Sequence, residues 1–231
     1  MMLKKMIGLC LIAAIVLITL MAQAEEEILG YDNLYLGERE LHRGEEGADI
    51  ALLQRELKKD GYYQGAIDGL FGPATREAVV QFQEEMDLDV TGYVDRKMLS
   101  YFDGDQLISK MNISRSDLLA LARVIHGEAR GENFRGMVAV GAVILNRVED
   151  ERFPDNIQEV IGDEGQFSSL MDGQANLYPD ENSMNAARAA LLGYDPSRDS
   201  LFFYNPEVAT NLAWISNRPI VKRIGAHVFA R

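Results

Sequence analysis

Glu128 is the residue of this chain best placed to do chemistry, because it sets a carboxyl group beside a strongly apolar helix face. Around the stretch ARVIHGEARGE, residues 122–132, the apolar positions Leu118, Leu121, Ala122, Ile125 and Ala129 recur at helical spacing. Ser116 is the expected N-cap. Glu128 falls beside that stripe, one turn after Val124. Desolvation there disfavours an ionised carboxyl and would raise its pKa. An acid that keeps its proton near neutral pH can protonate the leaving oxygen of a glycosidic bond. The competing reading is a surface glutamate at a helix end. Glu132 lies one turn further on, and an unbroken helix would aim it into the core. Gly131 readily takes the left-handed conformation that ends a helix. The helix is therefore expected to stop near Arg130, leaving Glu132 as an ion-pair or cap residue rather than a second catalytic group.

Two other chemistries are weighed against this one. His126-Gly127-Glu128 has the H-x-E form of a zinc-ligand pair, which would suit an amidase. The chain has only three histidines, His42, His126 and His227, whereas zinc hydrolases want two or three closely placed histidines or a cysteine pair. On a helix, His126 and Glu128 also point in different directions. No metal site and no cofactor are expected. A two-carboxylate glycosidase stays open, with Asp163, Glu164 and Asp172 available in a loop region.

The elements that would position Glu128 follow from the pattern. MVAVGAVILNRV, residues 137–148, is apolar on nearly all sides, as a central buried helix is. Asp155 or Asn156 starts a short helix through Ile161, and Asn182–Leu192 reads as another, ended by Gly193 and Pro196. Residues 201–204 and 220–229 are β-branched or aromatic enough for short strands. Upstream, Ile50, Leu53 and Leu57 mark one helix and Thr75, Ala78, Val79, Phe82 and Met86 a second, with Pro73 at its start. Between them GYYQGAIDGLFGPAT packs four glycines into a tight loop system. TGYVDRKMLSYF closes a three-helix unit that has no acid/base pair and reads as a binding module. No internal repeat is apparent.

Composition narrows the setting. Residues 1–5 form a basic n-region, residues 6–21 are apolar, and Ala22-Gln23-Ala24 matches a signal-peptidase site, so residues 1–24 are expected to be a signal peptide. An uncleaved N-terminal anchor is the alternative. The single cysteine, Cys10, lies inside that segment, which excludes disulfides and thiolate chemistry from the mature chain. A formal net charge of −13 without basic clusters argues against nucleic acid and against an anionic membrane surface.

The first unit, residues 38–102, resembles the type 1 peptidoglycan-binding domain family nearly end to end. The matching elements are LxxG, the LQ-x-x-L helix, GYY-x-G-x-x-DG-x-FG-x-x-T and the FQ…TG-x-VD tail. The resemblance implies a glycan–peptide cleft near the DG-x-FG loop, involving Asp68, Gly69, Phe71 and Thr75. After a polar linker at 103–113, residues 114–231 resemble the catalytic domain of the SleB-type spore cortex-lytic enzymes, the cell wall hydrolases. The motifs are LARVIHGEARGE, VAVGAVILNRV, the FPDNIQEVI segment, GQFS, AALLGYDPS, LFFYNP and IGAHVFAR.

That family looks like the goose-lysozyme and lytic transglycosylase superfamily, by analogy of motif order. The implied fold is mainly α with a minor sheet, lysozyme-like, beside the small three-helix domain. The implied site is Glu128 as sole acid/base, with Gln166, Phe167, Tyr204 and Asn205 against the sugar; Phe203 and Trp214 are further stacking candidates. The implied substrate is the peptidoglycan of the spore cortex, containing muramic-δ-lactam, cut outside the cytoplasmic membrane. A companion protein that restrains the enzyme in the dormant spore is implied as well.

Overall fold

The computed structural model describes residues 39–102, 114–163, 167, 178–209 and 217–231. The expected signal peptide and linker, Gln166, Glu164, Asp172 and Trp214 lie outside them. Three helices come first: α1 (Ala48–Lys59), α2 (Pro73–Glu85) and the single turn α3 (Arg96–Leu99). Then follow α4 (Arg115–Ala129), α5 (Phe134–Glu149), α6 (Ile157–Gly162) and α7 (Glu181–Leu191). The strands β1 (Phe202–Tyr204), β2 (Ile220–Ile224) and β3 (His227–Ala230) form one antiparallel sheet in the order β1-β3-β2. The expected mainly helical architecture with a minor sheet is what is found.

In the first region Ile50, Leu53, Leu57, Phe71, Val79, Phe82 and Met98 close one core. Two buried glutamines hold its loops. Gln54 accepts from the backbone N–H groups of Asp68 and Gly69 and donates to Asp68 Oδ1, the Leu70 carbonyl and Thr75 Oγ1, all at 2.7–2.9 Å. Gln83 repeats the device: it accepts from Thr91 N and Gly92 N and donates to Thr91 Oγ1 and the Tyr93 carbonyl. Gly69 and Gly92 take φ of +62° and +71°, a conformation open to glycine at no steric cost. A planar amide offering both donor and acceptor fits such a turn, and each hub is completed.

α1 buries two opposite faces. Ile50, Leu53 and Leu57 face the first core, while Ala48, Ala51 and Leu52 join a second core built from α4, α5, α6 and α7. α1 packs directly on α7. A Cβ placed on Gly69 would meet Phe134 and Tyr194 of the second region at 3.5 and 3.7 Å. The Tyr194 hydroxyl is pushed up to about 12, chiefly by burial, with Arg135 opposing and Asp68 and Glu46 of the first region adding to the rise. The regions read as separate units from the sequence thus share an apolar core.

α5 is the axis of the second region, buried from Gly136 through Ile144 on every face. At its far end Arg147 is 4% exposed, donates through Nε to the Leu201 carbonyl at 2.8 Å, and lies 5.2–5.5 Å from the ring centres of Phe153, Phe167 and Phe202. Burial lowers its pKa to about 10, with Asp163 opposing and Arg218 adding. That cation anchors the start of β1. The run 220–229, read as a single strand, is a hairpin: Gly225-Ala226 forms a two-residue turn with Gly225 at φ +56°.

Candidate active site

α4 begins at Ser114, whose hydroxyl accepts from Asp117 N, two residues before the expected cap. The helix ends at Ala129 with Arg130 as its cap, as read from Gly131. Glu128 therefore stands on the last turn, half-buried at the edge of the Leu121–Ala122–Ile125 face. It is not fully desolvated.

Glu132 has a different setting. Its N–H closes the turn on the Ala129 carbonyl, and Asn133 caps α5 by accepting from Gly136 N. The Glu132 side chain is 12% exposed. Its two oxygens accept from Ala226 N at 3.2 and 3.3 Å, and Oε1 lies 3.4 Å from His227 Nδ1. A Cβ on Gly225 would collide with this carboxylate, and one on Gly136 would approach its Cβ at 2.9 Å. A carboxylate at this place also answers the partial positive charge at the start of α5. Of the two roles expected for Glu132, ion pair or cap, the contact to the Ala226 N–H makes it a brace of the β2–β3 turn, facing an uncharged His227.

His227 opens β3 and is 7% exposed. Burial lowers its pKa, while the carboxylates of Glu132 and Glu128 pull in the opposite direction. The imidazole is therefore neutral at neutral pH. Its ring meets Phe203 edge-on, 5.5 Å between centres at 75°. Phe203 pairs with Phe229 and Tyr204 with Val228, so the end of β1 runs beside the start of β3. Tyr204 and Asn205 are both half-buried there, and Asn205 Oδ1 accepts from Glu207 N. The sheet thus gathers Tyr204–Asn205, His227 and Glu132 near the end of α4 that carries Glu128.

Phe167, expected against the sugar, is buried in this structure. It is 1% exposed, inside the second core and under Arg147, so it has no ring face to offer. Phe71, for which the sequence leaves cleft and core both open, is 1% exposed in the first core. Gly69 and Thr75 are held internally around Gln54, and Asp68, half-buried, commits Oδ1 to Gln54 and to Leu70 N. His227, Gly225 and the two glutamines were not singled out from the sequence. The signal for the turn was the glycine that interrupts a β-branched run at the start of IGAHVFAR.

The three histidines do not assemble. His42 stacks on Tyr93 in the first region. His126 Nδ1 lies 3.4 Å from Ser183 Oγ and 3.5 Å from Asp180 N at the start of α7. No cluster of three potential metal ligands occurs among the described residues.

Residues 131–230 match the Cell Wall Hydrolase family, and residues 46–100 match a peptidoglycan binding domain. Glu128 lies just upstream of the first match. The chain is similar to a spore cortex-lytic enzyme of Bacillus cereus, at 35% identity over 83% of this chain and 86% of that protein. It is similar to one of Oceanobacillus iheyensis at 30% identity, over 83% of this chain and 87% of that protein. Among solved structures, the catalytic domain of the germination-specific lytic transglycosylase SleB from Bacillus anthracis matches with a TM-score of 0.50 and 41% identity, over 52% of this chain and 98% of that one.

Proposed function

This chain belongs to the spore cortex-lytic enzyme family, and from that premise we propose that it degrades cortex peptidoglycan in germination as a one-carboxylate lytic transglycosylase. Glu128 donates its proton to the oxygen joining N-acetylmuramic acid to N-acetylglucosamine as that bond breaks. The carboxylate so formed takes the proton of the muramyl C6 hydroxyl, whose oxygen closes on C1. The product end is a 1,6-anhydro sugar, Glu128 is protonated again, and no water is consumed.

The observation that carries this reading is the contrast between the two glutamates at the end of α4. Glu132 is braced by the β2–β3 turn, and Glu128 stands half-buried on the helix edge. Tyr204 on β1 and Asn205 just after it are the side chains offered to the sugar substituents, and Gln166 shares that role. Residues 38–102, with Asp68 at the Gln54 loop, hold the polymer, and residues 114–231 cut it. Residues 1–24 direct export to the cortex or wall, where muramic-δ-lactam marks the substrate and a companion protein restrains the enzyme before germination. The separated histidines give no support to the zinc amidase alternative.

Mass spectrometry of soluble fragments from purified cortex tests the reaction. Anhydro-muramic ends are expected from the wild type and none from Glu128→Gln, with the thermal melt of the variant nearly unmoved. Reducing muramic ends would mean hydrolysis, freed peptides would mean an amidase, and an active Glu128→Gln would remove the acid from its place.

A further inference from the structure

Of the buried ionisable groups outside the proposed chemistry, His227 touches the most parts of the site. Its ring sits between the Glu132 carboxylate, 3.4 Å from Nδ1, and the edge-on Phe203 ring. Nδ1 has no aligned hydrogen-bond partner among the described residues, although the residue is over nine-tenths buried. A buried polar nitrogen without a bond is costly, so its place on β3 is not explained by packing alone. The charged groups that face it are Glu132 from the α4–α5 turn and Glu128 from α4. β1 presents Phe203, and β2 presents its pairing partner Ile224.

We propose that His227 is a positioning residue, whose imidazole, wedged between Glu132 and Phe203, fixes the Tyr204–Asn205 end of β1 relative to Glu128. This rests on Glu128 being the acid. The tautomer that serves the wedge carries its proton on Nδ1, toward Glu132 Oε1. Displacing a site by about 1 Å can cost roughly 10²-fold in rate, which sets the scale of what a wedge controls.

The charge of the ring matters because burial opposes it. The folded-state pKa of His227 is depressed below the ordinary value. As pH falls through about 6.5, the unfolded chain takes up a proton there before the folded chain does. Stability therefore declines as pH falls from about 6.5 to the folded pKa, where the folded ring charges against Phe203. Activity on the acid side is expected to fall with that protonation.

The test uses the full chain on purified cortex with four variants. His227→Phe fills the space without a donor. His227→Asn places an amide nitrogen where Nδ1 was, and His227→Gln places it at the Nε2 position. The expected result is a kcat loss of about 10²-fold in His227→Phe with KM little changed. His227→Asn should recover to within about tenfold of wild type, with an acid limb displaced to lower pH and a flatter dependence of melting temperature on pH. If His227→Phe does not fold, the Asn-to-Gln ratio in kcat decides: a tenfold advantage for Asn supports the wedge, and equality overturns it. A His227→Phe enzyme as active as wild type, or pH profiles that superimpose after scaling, overturns it too. Glu128→Gln run beside them separates the two readings. If that variant is inactive while His227→Phe is fully active, only the wedge fails; if it is active, the assignment of the acid fails first.

Discussion

Gln54 and Glu132 occupy comparable places, each accepting backbone N–H at a glycine turn of positive φ, two such groups on buried Gln54 and one on partly buried Glu132. Their chemistry differs. The amide of Gln54 gives and receives, bonds at 2.7–2.9 Å, carries no charge and does not itself titrate. The carboxylate of Glu132 can only accept, its contacts are 3.2–3.4 Å long, and the group opposite it is titratable. In the region that holds polymer, buried polarity closes on itself and fixes shape. In the region that cuts, it is left incompletely bonded and sensitive to protons, which is where perturbed groups collect in functional sites.

The comparison breaks most sharply at Gly225. Gly225→Ala forces a Cβ into the Glu132 carboxylate and holds a left-handed φ that alanine resists by about 1–2 kcal/mol. With the added crowding, a total loss of about 2–5 kcal/mol is expected in denaturant titration, together with a fall in activity of roughly 10²-fold. A melt and a rate both at wild-type values would show that the turn does not rest on Glu132.

Gln54→Leu probes the amide side. It leaves Asp68 N and Gly69 N without their buried acceptor, at a cost of about 2–4 kcal/mol that is the same at pH 5 and pH 8. Gln83→Leu should behave alike at the Thr91–Gly92 turn. A stability loss that varied with pH would deny the two hubs their proton-indifferent character.

Glu132→Gln turns the carboxylate seat into an amide one and should have the smallest effect. Activity at neutral pH is expected to stay within about tenfold, since one oxygen still accepts from Ala226 N. Removing this charge lets burial depress the pKa of His227 further. The acid-side loss of stability should then extend to lower pH than in the wild type, read from melts across pH 4–8. A shorter decline would reverse the sign argued for His227.

Much of the second region was legible in the residues. The α4 stripe, its end near Arg130 and the bracing role of Glu132 follow from helical spacing and one glycine. The cap was misplaced by two residues because Ser114 and Ser116 offer the same hydroxyl. The hairpin was hidden because Gly225 interrupts a run that otherwise reads as one strand. The shared core was hidden by its smallness: on α1 the face of Ile50, Leu53 and Leu57 is loud, while that of Ala48, Ala51 and Leu52 is mostly alanine. Phe71 and Phe167 look alike in sequence whether they stack on a sugar or fill a core. Gln54 and Gln83 look like surface residues, since glutamine is mostly exposed, and only the closing of distant loops onto them shows otherwise.

The seam where Ala48, Ala51 and Leu52 meet α7 gives the holding module a fixed reach. A module on a loose tether searches a volume, and the spots it can serve are spread by linker length. A module seated in the same core behaves as a gauge: where it grips a strand also sets where the blade falls. Under the proposed division of labour, cuts are expected toward one offset from each grip, and the lengths of the released pieces would carry the dimensions of the fold.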